Sequence, residues 1–255
     1  MSRIVLSALL GSVGVLGAAV HAAEPDRPAV LDALQSQGLT VMEEFPLEGT
    51  GLRGFAAMAD QRPIAVYVAS DGSAIVGTRV DRDAQIVDEQ VLEELVAKPM
   101  GEQMWAQLEA ATWVRDGRED APRVVYAFSD PNCPFCNRFW LAARPWVDSG
   151  HVQLRHVLVG MLRKDSANKA AAILSANDPG AALTQNETLF SEGGIQPVAS
   201  VSDEIAGVLE ANQILMLELG FGGTPAVVFR DNAGLVRQFG GMPTGDRLEA
   251  VMGPR

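Results

Sequence analysis

Cys133 and Cys136 are the chain's only cysteines, and only Pro134 and Phe135 separate them. A C-x-x-C spacing suits thiol–disulfide exchange. One thiolate attacks a substrate sulfur, and the second, a helical turn away, attacks the mixed disulfide that results. Such a pair works only if the two thiols differ. Residues 124–128, VVYAF, are β-branched and aromatic and predict a buried strand. Ser129, Asp130, Pro131 and Asn132 break it, and Phe139, Trp140, Ala143 and Val147 then recur at helical spacing. Cys133 is thereby placed at a helix N-terminus, with Asn132 as the expected cap. Unpaired backbone N–H groups and the helix dipole favour a thiolate there, moving its pKa from about 8.5 into a range of roughly 3.5–7.5. Cys133 is expected to be exposed and Cys136 shielded, with Pro134 stiffening the ring between them.

Two other readings of the cysteines are weaker. A structural disulfide across three residues closes a tiny loop, and stabilisation by loop closure grows with loop length. Zinc is suggested by the C-x2-C-x14-H-x4-H spacing of Cys133, Cys136, His151 and His156. Residues 152–155 between the histidines alternate as a strand does, however, and positions five apart on a strand point to opposite faces. The exchange chemistry needs no metal and no cofactor.

The 255 residues, 47% of them hydrophobic, suffice for one large or two modest domains with real cores. Residues 1–22 read as a cleavable secretory leader: Arg3, an apolar segment over 4–20, then a small-residue site ending at Ala22. Export matters to the cysteines, because an oxidising compartment turns exposed thiols into disulfides unless an electron donor keeps them reduced. The formal net charge of −12 excludes a binder of phosphate backbones.

Four short runs over 39–45, 52–58, 64–69 and 74–80 predict strands after a first helix at 28–38, with Asp71 and Gly72 forming a hairpin turn. This α+β unit, 23–86, is small for independent stability. An open edge strand in it could pair with a second copy. Residues 87–116 read as a helical linker holding two domains apart, broken at Lys98 and Pro99. The second domain, 117–255, runs strand, C-x-x-C helix and strand, a βαβ unit. A helical insertion follows, punctuated at Asp178, Pro179 and Gly180. Gly222 to Pro225 then lead into a strand hairpin and a last helix.

That order, with Thr224 and Pro225 ahead of the hairpin, resembles the thioredoxin fold. The segment SDPNCPFCNRFWLAARPWVDSGHVQLRHVLVG, the preceding GEQMWAQLEAATWVRDGREDAP and the later GTPAVVF resemble the periplasmic thiol:disulfide interchange proteins of the DsbC/DsbG family. The resemblance covers essentially the whole mature chain. It implies a thioredoxin-like domain with a helical insertion, and a cystatin-like N-terminal module that makes a V-shaped homodimer. It further implies reduction by the membrane reductase DsbD, and action on misoxidised or sulfenylated cysteines of exported proteins. By residue, Cys133 takes the attacking role, Cys136 the resolving role, and Thr224 and Pro225 the substrate-facing loop. Their peptide bond is expected to be cis, leaving the Thr224 backbone groups free for an extended substrate segment. Phe135 stands where the family commonly has Tyr, and Asn132 replaces an apolar residue. Pro134, and the lack of an additional cysteine pair, favour the DsbG branch over a DsbC-like isomerase. A holdase chaperone with an incidental redox pair is the reading from another class.

Overall fold

The computed structural model describes residues 27–254. The leader expected at 1–22 lies outside them. Helix α1 (Ala29–Ser36) precedes a four-stranded antiparallel sheet in sequential order, β1 (Thr40–Phe45), β2 (Arg53–Ala59), β3 (Arg62–Val68) and β4 (Ala74–Gly77). Alternation along the strands gives this sheet two apolar faces. Phe55, Val66 and Val68 pack under Leu31 of α1, while Phe45, Ala56, Ala65 and Tyr67 face the other way. The expected hairpin turn forms, with Ala69 N–H donating to Ser73 O at 2.9 Å and Gly72 at φ +84°.

The segment after this sheet departs from the sequence expectation. Helix α2 (Glu89–Leu92), a π-turn at Glu93–Ala97 and α3 (Lys98–Ala110) follow one another without a break at Lys98 and Pro99. Proline lacks an N–H and its ring crowds the carbonyl four residues back. Here Pro99 lies in the first turn of α3, and the wider π-turn just before it takes up the mismatch. Nor is the segment a bare spacer. Val91, Leu92, Leu95 and Val96 cover the second face of the first sheet, whereas Met104, Trp105 and Leu108 enter the core of the next.

That second sheet has the order β5-β7-β6-β8-β9. Its edge strand β5 (Val114–Asp116) lies inside the range read as linker. Three residues are too few to show a period, and only antiparallel pairing with β7 makes them a strand. Strand β6 (Arg123–Ser129), helix α4 (Pro134–Val147) and strand β7 (Val152–Leu158) form the expected βαβ unit, with β6 parallel to β7. The insertion comprises α5 (Ser166–Leu174), α6 (Pro179–Thr188) and α7 (Asp203–Glu218). Asp178, expected as punctuation, is instead the N-cap of α6, accepting from Ala181 N at 3.0 Å with Pro179 in the first turn. The hairpin of β8 (Ala226–Arg230) and β9 (Val236–Gly240), then α8 (Asp246–Met252), end the fold. Helices α4 and α8 bury Phe139, Ala143, Trp146, Val251 and Met252 on one face of the sheet, and α3 and α7 cover the other. Among the described residues no helix is long and apolar enough to cross a membrane.

Candidate active site

Strand β6 ends at Ser129, and the buried Asp130 that follows fixes the turn into α4. Its Oδ1 accepts from Asn132 N–H and Ser166 Oγ–H, each at 2.8 Å. Its Oδ2 accepts from Met161 N–H at 2.8 Å and Leu162 N–H at 2.9 Å. One carboxylate thus staples the cysteine loop to the loop after β7. That loop approaches α5 so closely that a Cβ on Gly160 would lie 2.6 Å from Ala167 Cα.

Cys133, not Asn132, caps α4: its Sγ accepts from the Cys136 backbone N–H at 3.1 Å. Asn132 lies one residue too early, and its amide turns into a buried polar cluster. There it donates to Asp165 Oδ1 and Ser166 Oγ, each at 3.0 Å, and accepts from Lys169 Nζ at 2.8 Å. The expectation of an exposed Cys133 is also corrected. Both cysteines are free thiols, and Cys133 is 2% exposed against 3% for Cys136. The 224–225 loop covers the first sulfur, which lies 3.4 Å from the Thr224 carbonyl oxygen. That carbonyl, expected free for substrate, already accepts from the Cys133 thiol. The Thr224–Pro225 peptide is cis.

Chemistry rather than exposure separates the two thiols. The Cys136 side chain, the Thr224 side chain and the backbone N–H groups of Cys136 and Phe135 stabilise the Cys133 thiolate. Together they hold its pKa at about 7 against the opposing effect of burial. Burial, then the neighbouring Cys133, pushes the Cys136 thiol well above the ordinary range. Pro134 occupies the first position of α4 and is exposed, and Phe135 is exposed with the Arg138 guanidinium 5.2 Å from its ring centroid.

Behind α4 lies a set of buried polar groups that no local pattern announces. Asn137 donates to Glu187 O at 2.8 Å and Oε2 at 2.9 Å, and Asn186 donates to Glu187 Oε1 at 3.1 Å. Burial raises the Glu187 pKa despite those donors. Asp116 is also desolvated, but the facing His156 and Arg144 outweigh this and take it down to about 2. Arg144 is the firmer partner, forked across both carboxylate oxygens. His156 Nε2 stands 3.5 Å away and makes no good hydrogen bond, while its Nδ1 meets Ser129 Oγ at 3.3 Å. His151 is exposed on the turn before β7, with Nδ1 2.7 Å from Ser149 Oγ. The sequence carries no signal for Asn186 or Glu187; a lysine among alanines at Lys169 is the one signal for the separate polar cluster around Asn132.

Comparison with known proteins agrees with the geometry. Residues 109–222 match a family model described as thioredoxin. The thiol:disulfide interchange protein DsbG of Pseudomonas aeruginosa is 39% identical over 242 residues, 94% of each chain. Its namesake from Escherichia coli K12 is 35% identical over 254 residues, 99% of each. The chain belongs to the DsbG family. As a member of the DsbG family it is a thiol–disulfide oxidoreductase or isomerase with a thioredoxin-like domain. Among solved structures, Proteus mirabilis ScsC in a transitional conformation overlays with a TM-score of 0.51 at 25% identity, covering 61% of this chain and 77% of that one.

Proposed function

We propose that the chain reduces or isomerises non-native disulfides, and reduces sulfenylated cysteines, of exported proteins, with Cys133 attacking and Cys136 resolving. The observation that carries this is the split between the thiols, one held at about 7 and the other pushed far up. Cys133 thiolate attacks one sulfur of a substrate disulfide, forming a mixed disulfide and releasing the other sulfur as a thiolate that takes a proton from water. Cys136 then loses its proton and attacks the Cys133 sulfur. This releases the second substrate thiol and leaves the enzyme pair oxidised. In isomerisation a different thiol of the substrate attacks the mixed disulfide instead, forming a new substrate disulfide and releasing Cys133 as the thiolate, so the enzyme leaves reduced. With a sulfenic acid, the same attack expels hydroxide, which leaves as water once protonated.

Turnover as a reductase requires two electrons per cycle, and the membrane reductase DsbD is the proposed donor, with the periplasm as the compartment. Residues 23–86 are the proposed dimerisation module. Edge strand β4 supports it with Ile75 64% and Val76 41% exposed. Exposed Met161 and Leu162, on the loop that Asp130 staples beside the cysteines, support a chaperone activity toward unfolded chains. Cys136→Ser tests the exchange reading. It is expected to accumulate mixed disulfides with exported proteins that Cys133→Ala does not form, while holdase activity survives both changes. No trapped species under non-reducing conditions overturns the assigned roles.

A further inference from the structure

A cavity of about 240 Å³ opens between the cysteine loop and the helical insertion, walled by Pro131, Asn132, Arg163, Lys169, Phe190 and Ser191. Its electrostatics are unlike those of the chain at large, whose formal net charge is −12. No carboxylate lines it. Lys169 is only 7% exposed, yet its ammonium is hydrogen-bonded to neutral oxygens, Asn132 Oδ1 at 2.8 Å and Gly193 O at 2.6 Å. Its nearest carboxylate, Asp165 Oδ2, stands 3.6 Å away on a side chain 45% exposed, outside hydrogen-bond range and screened by water. A buried cation whose hydrogen bonds go to neutral oxygens, with its carboxylate partner set back at 3.6 Å, stabilises an anion brought beside it. Arg163 adds a second positive charge at the rim, exposed and without an ion pair or side-chain hydrogen bond among the described residues.

We infer that this cavity is a subsite for a carboxylate of the substrate polypeptide, an Asp or Glu near the reacting cysteine. This deepens the exchange reading and rests on it. Asn132, in the cavity wall, is the residue immediately before Cys133, so a side chain seated there belongs to a chain already held at the reactive sulfur. The volume fits an acidic side chain with a water, the half-buried Phe190 ring packs against its methylenes, and Arg163 closes over the carboxylate with its two-pronged donor geometry. An acidic enzyme surface repels acidic substrates at long range. The subsite reverses that sign locally and so selects which cysteines are presented.

The test compares disulfide-linked peptides identical except for Glu, Gln or Lys at each position within three residues of the reacting cysteine, using the full chain. At one or more positions, kcat/KM for the Glu peptide is expected to exceed that for the Lys peptide by about tenfold, a difference of roughly 1.4 kcal/mol. Arg163→Gln brings the ratio towards unity and Arg163→Glu inverts it. Peptides carrying serine for cysteine, titrated by calorimetry, are expected to show the same order in Kd. Equal values for Glu and Lys at every position, in rates or in Kd, overturn the subsite, as does a preference that both Arg163 variants leave intact. A wild-type enzyme that leaves the Gln peptide unreduced fails the exchange reading instead, and the subsite then stands or falls on the Kd order.

Discussion

The sulfur of Cys133 and the carbonyl oxygen of Thr224 lie 3.4 Å apart, so the loop before β8 touches the first sulfur of the C-x-x-C pair itself. The thiol can donate to that carbonyl, whereas the thiolate cannot. The Thr224 hydroxyl, buried without a hydrogen-bond partner, stands ready to serve the thiolate. Thiolate absorbance followed against pH is expected to give a Cys133 midpoint near about 7, with limiting alkylation at neutral pH labelling Cys133 first. Thr224→Val removes the hydroxyl and is expected to move that midpoint upward. A midpoint that falls or stays fixed in the variant would falsify the role given to Thr224.

Arg144 and Asp116 make a second prediction. The Asp116 carboxyl sits at about 2 in the fold against 3.8 ordinarily. Its stabilisation is therefore complete above the unfolded value and is lost as pH falls from about 4 towards 2, worth about 2 kcal/mol in all. Arg144→Met leaves a buried, poorly paired carboxylate and is expected to cost about 3 kcal/mol at neutral pH. Denaturant unfolding at neutral and acid pH reads both effects. A variant as stable as wild type at pH 7 would show the pair to be dispensable.

Glu187 works with the opposite sign. Its folded pKa is raised by burial, so the unfolded chain releases the proton first, and stability contributed at low pH declines as pH climbs through the folded value. Glu187→Gln cannot ionise, although its amide faces one of the two asparagine donors and loses a hydrogen bond. Relative to wild type, the variant is expected to gain stability as pH rises above the ordinary glutamate range, because only the wild-type carboxyl then becomes costly to bury. Parallel stability profiles would show that the carboxyl does not titrate differently on folding.

The edge of the first sheet carries a fourth prediction. Ile75, exposed on β4, is expected to lie against a second copy. Sedimentation of the full chain should give a dimer, and Ile75→Glu should shift it towards monomer with the βαβ domain still folded. A wild-type chain that sediments as a monomer at micromolar concentration removes this interface.

Local patterns carried much of this structure into the sequence. Strand β6, helix α4 and the Asp71–Gly72 turn were legible because each is set by residues adjacent along the chain. Asn132 was misjudged as the cap because capping propensity says nothing of a lysine 37 positions later that claims its amide oxygen. The linker failed for a related reason. Pro99 announces a break locally, and only the π-turn before it lets the helix continue. Since α3 packs Met104, Trp105 and Leu108 into the second core and β5 completes its sheet, a truncation at 116 removes part of the domain it aims to isolate. The cut has to fall no later than Lys98.

Residues 160–225 leave the second sheet after β7 and return to it at β8, so the insertion behaves as a cassette carried on an unbroken scaffold. Its helices hold Lys169, Asn186 and Glu187, and Thr224 lies on the return to β8; these groups touch the cysteine loop or its helix, while Cys133 and Cys136 lie outside the stretch. Descent with modification can therefore retune this enzyme by editing a stretch that contains none of its reactive atoms. A substitution in the cassette can change the surroundings of Cys133 while the CPFC motif stays as it is.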